Sequence, residues 1–210
     1  MAMDQYFLSG GVIYTKQGRL DPWEWRWVKA DIPQPAEAVT PREALTALAG
    51  SPRARRIPVG VIGPREATPE QLVAAEAVGA ALGQMGMTVI CGGKGGVMEA
   101  VSKGCHEAGG LTVGMIPDHD WRTANPFVAL PIATGLSEAR NMIIAKSSAA
   151  LIAVGGSYGT LSEVAYGLHF SKPVIGIAGA PAVEGVEHVA GPEEAATRLA
   201  EHFLQSAGMS

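Results

Sequence analysis

One glycine-rich stretch, Gly155 to Glu163, constrains the possible fold of this chain more than any other. It follows the apolar run from Ala149 to Val154 and leads into a helix-like apolar segment from Leu161 to Phe170. A strand, a glycine turn and a helix in this order present free backbone N–H groups to an anion, because glycines allow close approach and a helix start favours negative charge. The stretch therefore predicts a site for a nucleotide-like phosphate, formed by Gly155, Gly156, Ser157, Gly159 and Thr160.

From Ile57 onward, short apolar strands alternate with helix-like segments. This alternation is typical of a parallel sheet with helices on both faces. We therefore predict an α/β fold: a doubly wound, Rossmann-like, three-layer αβα domain over residues 51–210. Capping-box patterns at Thr40 and Thr68, each followed by proline, predict two helix starts.

Residues 1–50 differ from the rest and predict an N-terminal extension made of a β-hairpin and a short helix. Between Asp21 and Val28 aromatic residues alternate with charged ones, so we expect Trp23, Trp25 and Trp27 to share one face of the hairpin. This face either packs on the protein's own body or covers a partner subunit or the mouth of a ligand site.

Composition narrows the classes of function. A formal net charge of −4 argues against nucleic acid as the main partner. The two cysteines, Cys91 and Cys105, are too few for a disulfide framework, and no histidine, cysteine or carboxylate set has the spacing of metal ligands. No apolar run is long enough to span a bilayer, and no signal-like segment opens the chain, so we expect a cytoplasmic protein without a membrane partner.

Two further glycine turns follow predicted strands, one at Gly63 and one at Gly92, Gly93, Gly95 and Gly96. Because the carboxyl ends of parallel strands meet at one edge of the sheet, these turns and Gly155–Gly159 should converge on one crevice.

The usual nucleotide fingerprints are nevertheless incomplete. Met98 stands where G-x-G-x-x-G needs its last glycine, and Lys94 is followed by Gly95 where a phosphate loop needs Ser or Thr. These departures argue against a dehydrogenase and a P-loop ATPase. Lys94 and Glu99 remain possible site residues, although a solvated helix face explains Glu99 equally well.

Glu163 has two interpretations. Thr160 and Glu163 have the spacing of a capping box, so Glu163 can simply cap a helix. Arg140 precedes the central strand and should lie at the same rim, which favours cleavage of a glycosidic bond in a nucleotide. The cation would hold phosphate or stabilise the leaving base, and the carboxylate would stabilise an oxocarbenium-like sugar and orient water.

From about Pro58 to Ile177 the chain resembles the LONELY GUY (LOG) superfamily, long labelled "lysine decarboxylases". The family pattern PGGxGTxxE lies over Gly155–Glu163, the family arginine falls on Arg140, and the glycine-rich GGGxxGLMG turn lies over Cys91–Glu99. Three separate turns thus match in order over more than half of the chain.

The departures from the pattern favour a sister branch. The family triplet ERK reads Ala139-Arg140-Asn141, Gly155 replaces the leading proline, Ser157 replaces a glycine of PGG, and Glu99 replaces the last glycine of GLMG. Together these motifs are closest to the branch related to DNA-processing Rossmann proteins, which includes molybdenum-cofactor carrier proteins.

The resemblance implies two functions from different classes. Similarity to LOG enzymes implies a nucleoside 5′-monophosphate phosphoribohydrolase with Arg140 and Glu163 as catalytic residues and Asn141 as a possible site residue. The alternative, implied by the sister branch, is a non-catalytic carrier or sensor of a nucleotide or molybdopterin. Neither function requires a cofactor. Each implies that the protein binds a small phosphorylated ligand: a nucleoside monophosphate, phosphate or molybdopterin. The family also implies a homodimer or homotetramer.

Overall fold

The computed structural model describes residues 5–209 and contains two compact units. One comprises the chain up to Arg56 together with the segment from Thr197 onward, and the other is Ile57–Ala196. The strands are β1 (Tyr6–Ser9), β2 (Val12–Thr15), β3 (Gly18–Asp21), β4 (Arg26–Val28), β5 (Glu37–Val39), β6 (Pro58–Ile62), β7 (Thr88–Cys91), β8 (Leu111–Ile116), β9 (Leu130–Ala133), β10 (Ala150–Val154), β11 (Val174–Ile177), β12 (Val186–His188) and β13 (Gly208–Met209). The helices are α1 (Pro41–Leu48), α2 (Pro69–Gln84), α3 (Val97–Glu107), α4 (Arg140–Ser147), α5 (Tyr158–His169) and α6 (Pro192–Ser206), with 3₁₀ turns at Trp121–Thr123 and Ser137–Ala139.

The larger unit is built on a parallel seven-stranded sheet in the order β12-β11-β10-β6-β7-β8-β9. The chain runs outward from β6 to β9 in one direction and from β10 to β12 in the other, so the order reverses between the neighbours β6 and β10. The predicted doubly wound α/β fold is confirmed. Ligands in such sheets bind beyond the carboxyl ends of the strands at this reversal.

The sequences of the central strands reflect their burial. Every residue of β7, β10 and β11 is buried, and in β6 only Pro58 is partly exposed. A strand covered by helices on both faces needs apolar residues at every position, which explains the continuous apolar runs. Ile62, Ile144, Leu151 and Val164 belong to the hydrophobic core beside the switch point.

The smaller unit is a six-stranded sheet in the order β13-β4-β3-β2-β1-β5, antiparallel except where the C-terminal β13 pairs with β4. The N-terminal extension is confirmed, and its sheet is larger than the predicted hairpin. The capping box at Thr40 is also confirmed, because its side chain and that of Glu43 bond each other's backbone N–H groups at the start of α1.

The predicted tryptophan face is wrong. Trp23 and Trp25 lie in the turn before β4, and only Trp27 is within the strand. Trp27 is buried, whereas Trp23 is half exposed beneath the guanidinium of Arg55. Trp25 has a φ of 54° and donates from Nε1 to the carbonyl of Phe203 at 3.0 Å. Most of the residues that alternate between aromatic and charged lie in a turn, so their alternation does not reflect the two faces of a strand.

Within residues 5–209 no helix combines the length and the apolar character that crossing a membrane requires.

Helices α2 and α3 pack with their backbones in close approach at two glycines. A Cβ added at Gly104 would clash with the carbonyl oxygen of Glu76, and one added at Gly79 would clash with that of Val101. Neither clash can be relieved by a rotamer change, because each involves backbone atoms.

We expect Gly104→Ala to destabilise the protein by about 2 kcal/mol or more, in the range of overpacked cores. Helix propensity alone predicts the opposite sign, since alanine is favoured over glycine by about 1 kcal/mol in a helix. Urea denaturation measures the difference, with Val73→Ala on the exposed face of α2 as the control. An unchanged or higher midpoint for Gly104→Ala would show that the helices are free to separate.

Candidate functional site

A cavity of about 190 Å³ lies at the switch point of the large sheet. Each of the three glycine turns contributes a glycine to its wall: Gly63 after β6, Gly92 after β7, and Gly159 at the start of α5. The predicted site residues that line it are Gly63, Gly92, Arg140, Asn141, Ser157, Gly159, Thr160 and Glu163. The predicted residues outside its lining are Gly93, Lys94, Gly95, Gly96, Glu99, Gly155 and Gly156.

Glycine is needed at position 92 because a guanidinium rests against the backbone there. A Cβ on Gly92 would lie 2.6 Å from Nη2 of Arg140 and 2.6 Å from the sulfur of Met98. The absence of a side chain at Gly92 therefore leaves the space that the guanidinium of Arg140 occupies.

The start of α5 differs from the predicted one. The N-cap is Ser157, whose Oγ accepts from the Thr160 N–H at 3.2 Å, and the helix begins at Tyr158. Glu163 therefore lies in the second turn of α5 and does not cap it, so the capping-box interpretation of Glu163 is wrong. The N–H groups of Tyr158 and Gly159 have no acceptor within the helix, as at any helix start, and Gly159 and Ser157 line the cavity.

Arg140 and Glu163 meet inside the cavity as a poorly compensated ion pair. Nη1 of Arg140 lies 3.6 Å from Oε1 of Glu163, and the two side chains are only 11% and 8% exposed. Burial lowers the pKa of Arg140, against the opposing charge of Glu163. Burial also raises the pKa of Glu163 to about 7, with Arg140 opposing the shift. Both groups thus lose solvation that their mutual attraction does not replace.

Asn141 fixes the direction of the guanidinium. Nη1 of Arg140 donates to Oδ1 of Asn141 at 2.7 Å, and Nδ2 of Asn141 donates to Oγ of Ser162 at 2.9 Å. The Ser162 hydroxyl in turn donates to the carbonyl of Gly159 at 2.7 Å. Nε of Arg140 remains buried with no hydrogen-bond partner among the described residues. The site thus holds a donor that a ligand oxygen can satisfy.

Lys94 is engaged outside the cavity. Its ammonium pairs with Asp118 and donates to the carbonyl of Thr123 at 2.9 Å. The hydrogen bond from Lys94 is the largest of the causes that lower the pKa of Asp118. Lys94 therefore braces the loop after β8, together with Asn125, which donates to the Lys94 carbonyl at 3.0 Å.

Gln71 connects the start of α2 to the loop after β11 and to the glycine turn after β10. The predicted capping box is confirmed, because Gln71 Oε1 accepts from the Thr68 N–H at 3.0 Å. Its Nε2 donates to the carbonyl of Ala178, after β11, at 3.2 Å. The same amide fills the space that a Cβ on Gly155 would need, and Gly155 has a φ of 66°. Gly155 is thus required by both space and backbone conformation.

Sequence reasoning missed several residues of the cavity wall, notably Arg65, Ser137 and Glu138. Arg65 is exposed and lies two residues after Gly63. The rule that ligands bind beyond the carboxyl ends of parallel strands therefore applies to Arg65 as it does to Gly63. Ser137 has a φ of 47°, a left-handed conformation that is uncommon for serine and that no sequence pattern announced. Within residues 5–209 no group of three or more histidine, cysteine or acidic side chains could hold a metal ion.

The doubly wound sheet with glycine turns at its switch point defines a nucleotide-binding-like Rossmann fold. A protein-family model described as the SLOG cluster4 family matches residues 56–204. The chain therefore belongs to the SLOG cluster4 family. An uncharacterized protein of Archaeoglobus fulgidus is 43% identical over 137 residues, which cover 65% of this chain and 90% of that protein.

Two solved structures are similar to this chain over most of its length. The molybdenum cofactor binding protein of the phototrophic bacterium Rippkaea orientalis has a TM-score of 0.66 and 35% identity, covering 69% of this chain and 96% of that one. The molybdenum cofactor carrier protein of Chlamydomonas reinhardtii has a TM-score of 0.67 and 34% identity, covering 72% of this chain and 100% of that one. The resemblance to the LOG superfamily, and to its branch of molybdenum-cofactor carriers, is confirmed.

The buried pair makes stability depend on pH. Glu163 has a pKa of about 7 in the folded protein against 4.5 as its ordinary value, so the folded state binds more protons between these two pH values. The stabilisation present below pH 4.5 is lost as pH rises through 7 and amounts to about 3 kcal/mol at 1.36 kcal/mol per pKa unit.

We expect the unfolding free energy of Glu163→Gln to exceed that of the wild type by less than about 1 kcal/mol at pH 5 and by up to about 3 kcal/mol at pH 8. Urea denaturation at both pH values measures the difference. Glu138→Gln, which removes an exposed carboxylate from the same wall, should stay within about 0.5 kcal/mol of wild type at both. A difference for Glu163→Gln that is the same at pH 5 and pH 8 would contradict the shifted pKa.

Proposed function

We propose that this protein binds a small phosphorylated heterocyclic compound of the molybdopterin type and carries it without chemical turnover. Membership of the SLOG cluster4 family and similarity to two molybdenum-cofactor proteins over most of their lengths support the proposal. A nucleoside monophosphate shares with this ligand a phosphate and a nitrogen heterocycle.

The observation that carries the proposal is the unsatisfied Arg140. A buried guanidinium with an orphaned Nε and a carboxylate 3.6 Å away is costly as it stands. An anionic ligand oxygen supplies the missing acceptor, and its charge pairs with Arg140 when Glu163 is protonated. The phosphate itself would lie on the N–H groups of Tyr158 and Gly159, where the start of α5 favours negative charge.

The cargo fits the donors that the chain offers. Its phosphate is an acceptor-only group, and the cavity offers backbone N–H groups and two arginines, Arg140 inside and Arg65 at the wall. The bond from Asn141 holds Arg140 in one direction, which suits retention of a ligand in a fixed pose. Asn141 is thus a positioning residue and makes no contact with the ligand in this proposal.

We expect Arg140→Gln to weaken binding of the molybdenum cofactor at least tenfold, because a charge-assisted bond to a desolvated anion is lost. Isothermal titration calorimetry with cofactor released anaerobically from a molybdoenzyme measures the affinity, with inorganic phosphate as a second titrant. Arg122→Gln, which removes an exposed arginine of the same unit, should bind as the wild type does. Equal affinity in the wild type and Arg140→Gln would refute this role for Arg140, and no binding by the wild type would refute the carrier.

A second candidate function, a nucleoside 5′-monophosphate phosphoribohydrolase, is favoured by one observation. Glu163 is not a helix cap but a carboxyl group inside the cavity, with a pKa raised to about 7 by burial. Such a group is partly ionised at neutral pH and can take a proton from water while Arg140 stabilises negative charge. Water would then replace the base at the anomeric carbon, giving ribose 5-phosphate and the free base.

For this second function we expect base release from AMP that rises with pH through about 7 and falls at least a hundredfold in Glu163→Gln. Chromatography of the free base, over a panel of purine and pyrimidine monophosphates, measures it. Glu107→Gln, which removes an exposed carboxylate at the end of α3, should retain the wild-type rate. Failure of the wild type to release any base while it still binds the monophosphates would leave the carrier function alone.

Assembly, location and the exclusion of nucleic acid are also proposals. We propose a homodimer or homotetramer, which analytical ultracentrifugation of the whole chain measures directly. We also propose a cytoplasmic protein that does not bind nucleic acid, consistent with its net charge of −4.

A further inference from the structure

A second recess lies on the other side of the turn that forms the phosphate site. It has a volume of about 350 Å³ and is lined by Gly156, Ser157, Tyr158, Leu161, Gly179 and Pro181. Its lining is almost entirely apolar, in contrast to the cavity that contains Arg140 and Glu163. Ser157 lines both spaces, so the two adjoin at the start of α5.

The aromatic side chain of this recess is unusually exposed. Tyr158, the first residue of α5, is 93% exposed, and Leu161 one turn later is 39% exposed. In the described part of the chain no ring or cation stacks on Tyr158. An aromatic ring with a free face beside an anion site offers a flat surface to a second flat ring.

The floor of the recess is kept flat by its backbone. A Cβ on Gly179 would project into open space, and its φ of 80° disfavours any side chain there. Ala178 before it also has a positive φ, 51°, and its carbonyl is held by Gln71. The loop after β11 is therefore held in a conformation that leaves the space beside Pro181 empty.

The inner cavity is small for a site that holds a whole heterocyclic phosphate. Sites for small organic ligands span about 300–1,000 Å³. The inner cavity, at about 190 Å³, is below this range, whereas the outer recess, at about 350 Å³, lies within it.

We propose that the outer recess is the ring subsite: the fused heteroaromatic ring of the ligand lies against Tyr158, Leu161 and Pro181 while its phosphate lies on the start of α5. This inference rests on the proposed function and names the part of the site that distinguishes one phosphorylated ligand from another. Phosphate contacts give affinity for any phosphate ester, whereas stacking on Tyr158 selects ligands with a flat ring.

The test compares ligands with and without a ring. Ribose 5-phosphate, AMP and neopterin phosphate are titrated calorimetrically against the wild type, Tyr158→Phe and Tyr158→Ala, with base release from AMP monitored in the same samples. The wild type should bind the better ring ligand at least tenfold more tightly than ribose 5-phosphate. Tyr158→Ala should lose that preference, as expected for a base stacked on an aromatic side chain, and Tyr158→Phe should keep it.

The control is Tyr166→Ala, which removes an aromatic ring from the same helix two turns later and should bind all three compounds as the wild type does. Retention of the ring preference in Tyr158→Ala overturns the ring subsite and leaves the phosphate site standing. If Tyr158→Ala instead changes the sedimentation coefficient while the ring preference is kept, the recess is covered by a second copy and the inference is wrong. Absence of binding by all three compounds overturns the ring subsite, and if the molybdenum cofactor does not bind either, the proposed function is overturned with it.

Discussion

The site depends on one interaction, the buried ion pair of Arg140 and Glu163. Loss of solvation on burial costs these two charged groups more than their mutual attraction returns. At 3.6 Å the two charged groups attract each other without a hydrogen bond. Burial lowers the pKa of Arg140 and raises the pKa of Glu163, so it favours the neutral form of each. Much of the surrounding structure serves to hold this pair. Gly92 leaves space for the guanidinium, Asn141 fixes its direction, and the capping of α5 by Ser157 places Glu163 one turn inside the helix.

Most of the large unit could be predicted from the sequence because its strands and helix starts are specified locally. A strand buried on both faces must be apolar throughout, and β10 satisfies that requirement at every position. The small unit was harder to predict because its strands are short and the last one, β13, comes from the far end of the chain. No local pattern can announce a pairing of Gly208 with Arg26, and the turn containing Trp25 imitates a strand.

The site was predictable in location but not in its details. Strand ends after β6, β7 and β10 indicated where the cavity lies, yet Lys94 and Glu99, which share those turns, do not line it. The sequence prediction started α5 three residues too late. Thr160 and Glu163 have the spacing of a capping box, but the observed cap is Ser157, whose Oγ accepts from the Thr160 N–H. Only the three-dimensional structure decides between these two overlapping patterns. Because Ser157 is the N-cap, Glu163 does not cap the helix and its side chain lines the cavity.

Gln71 has a consequence that extends beyond the stability of its own helix. One amide group completes the cap of α2 with its oxygen and holds the loop after β11 with its nitrogen, against a glycine that has no room for a side chain. Glutamate is an equally good capping residue in general, but here it would place an acceptor opposite the Ala178 carbonyl. Divergence at this position is therefore restricted by a loop more than 100 residues away in the chain. A substitution of Gln71 therefore also removes the donor that holds the Ala178 carbonyl.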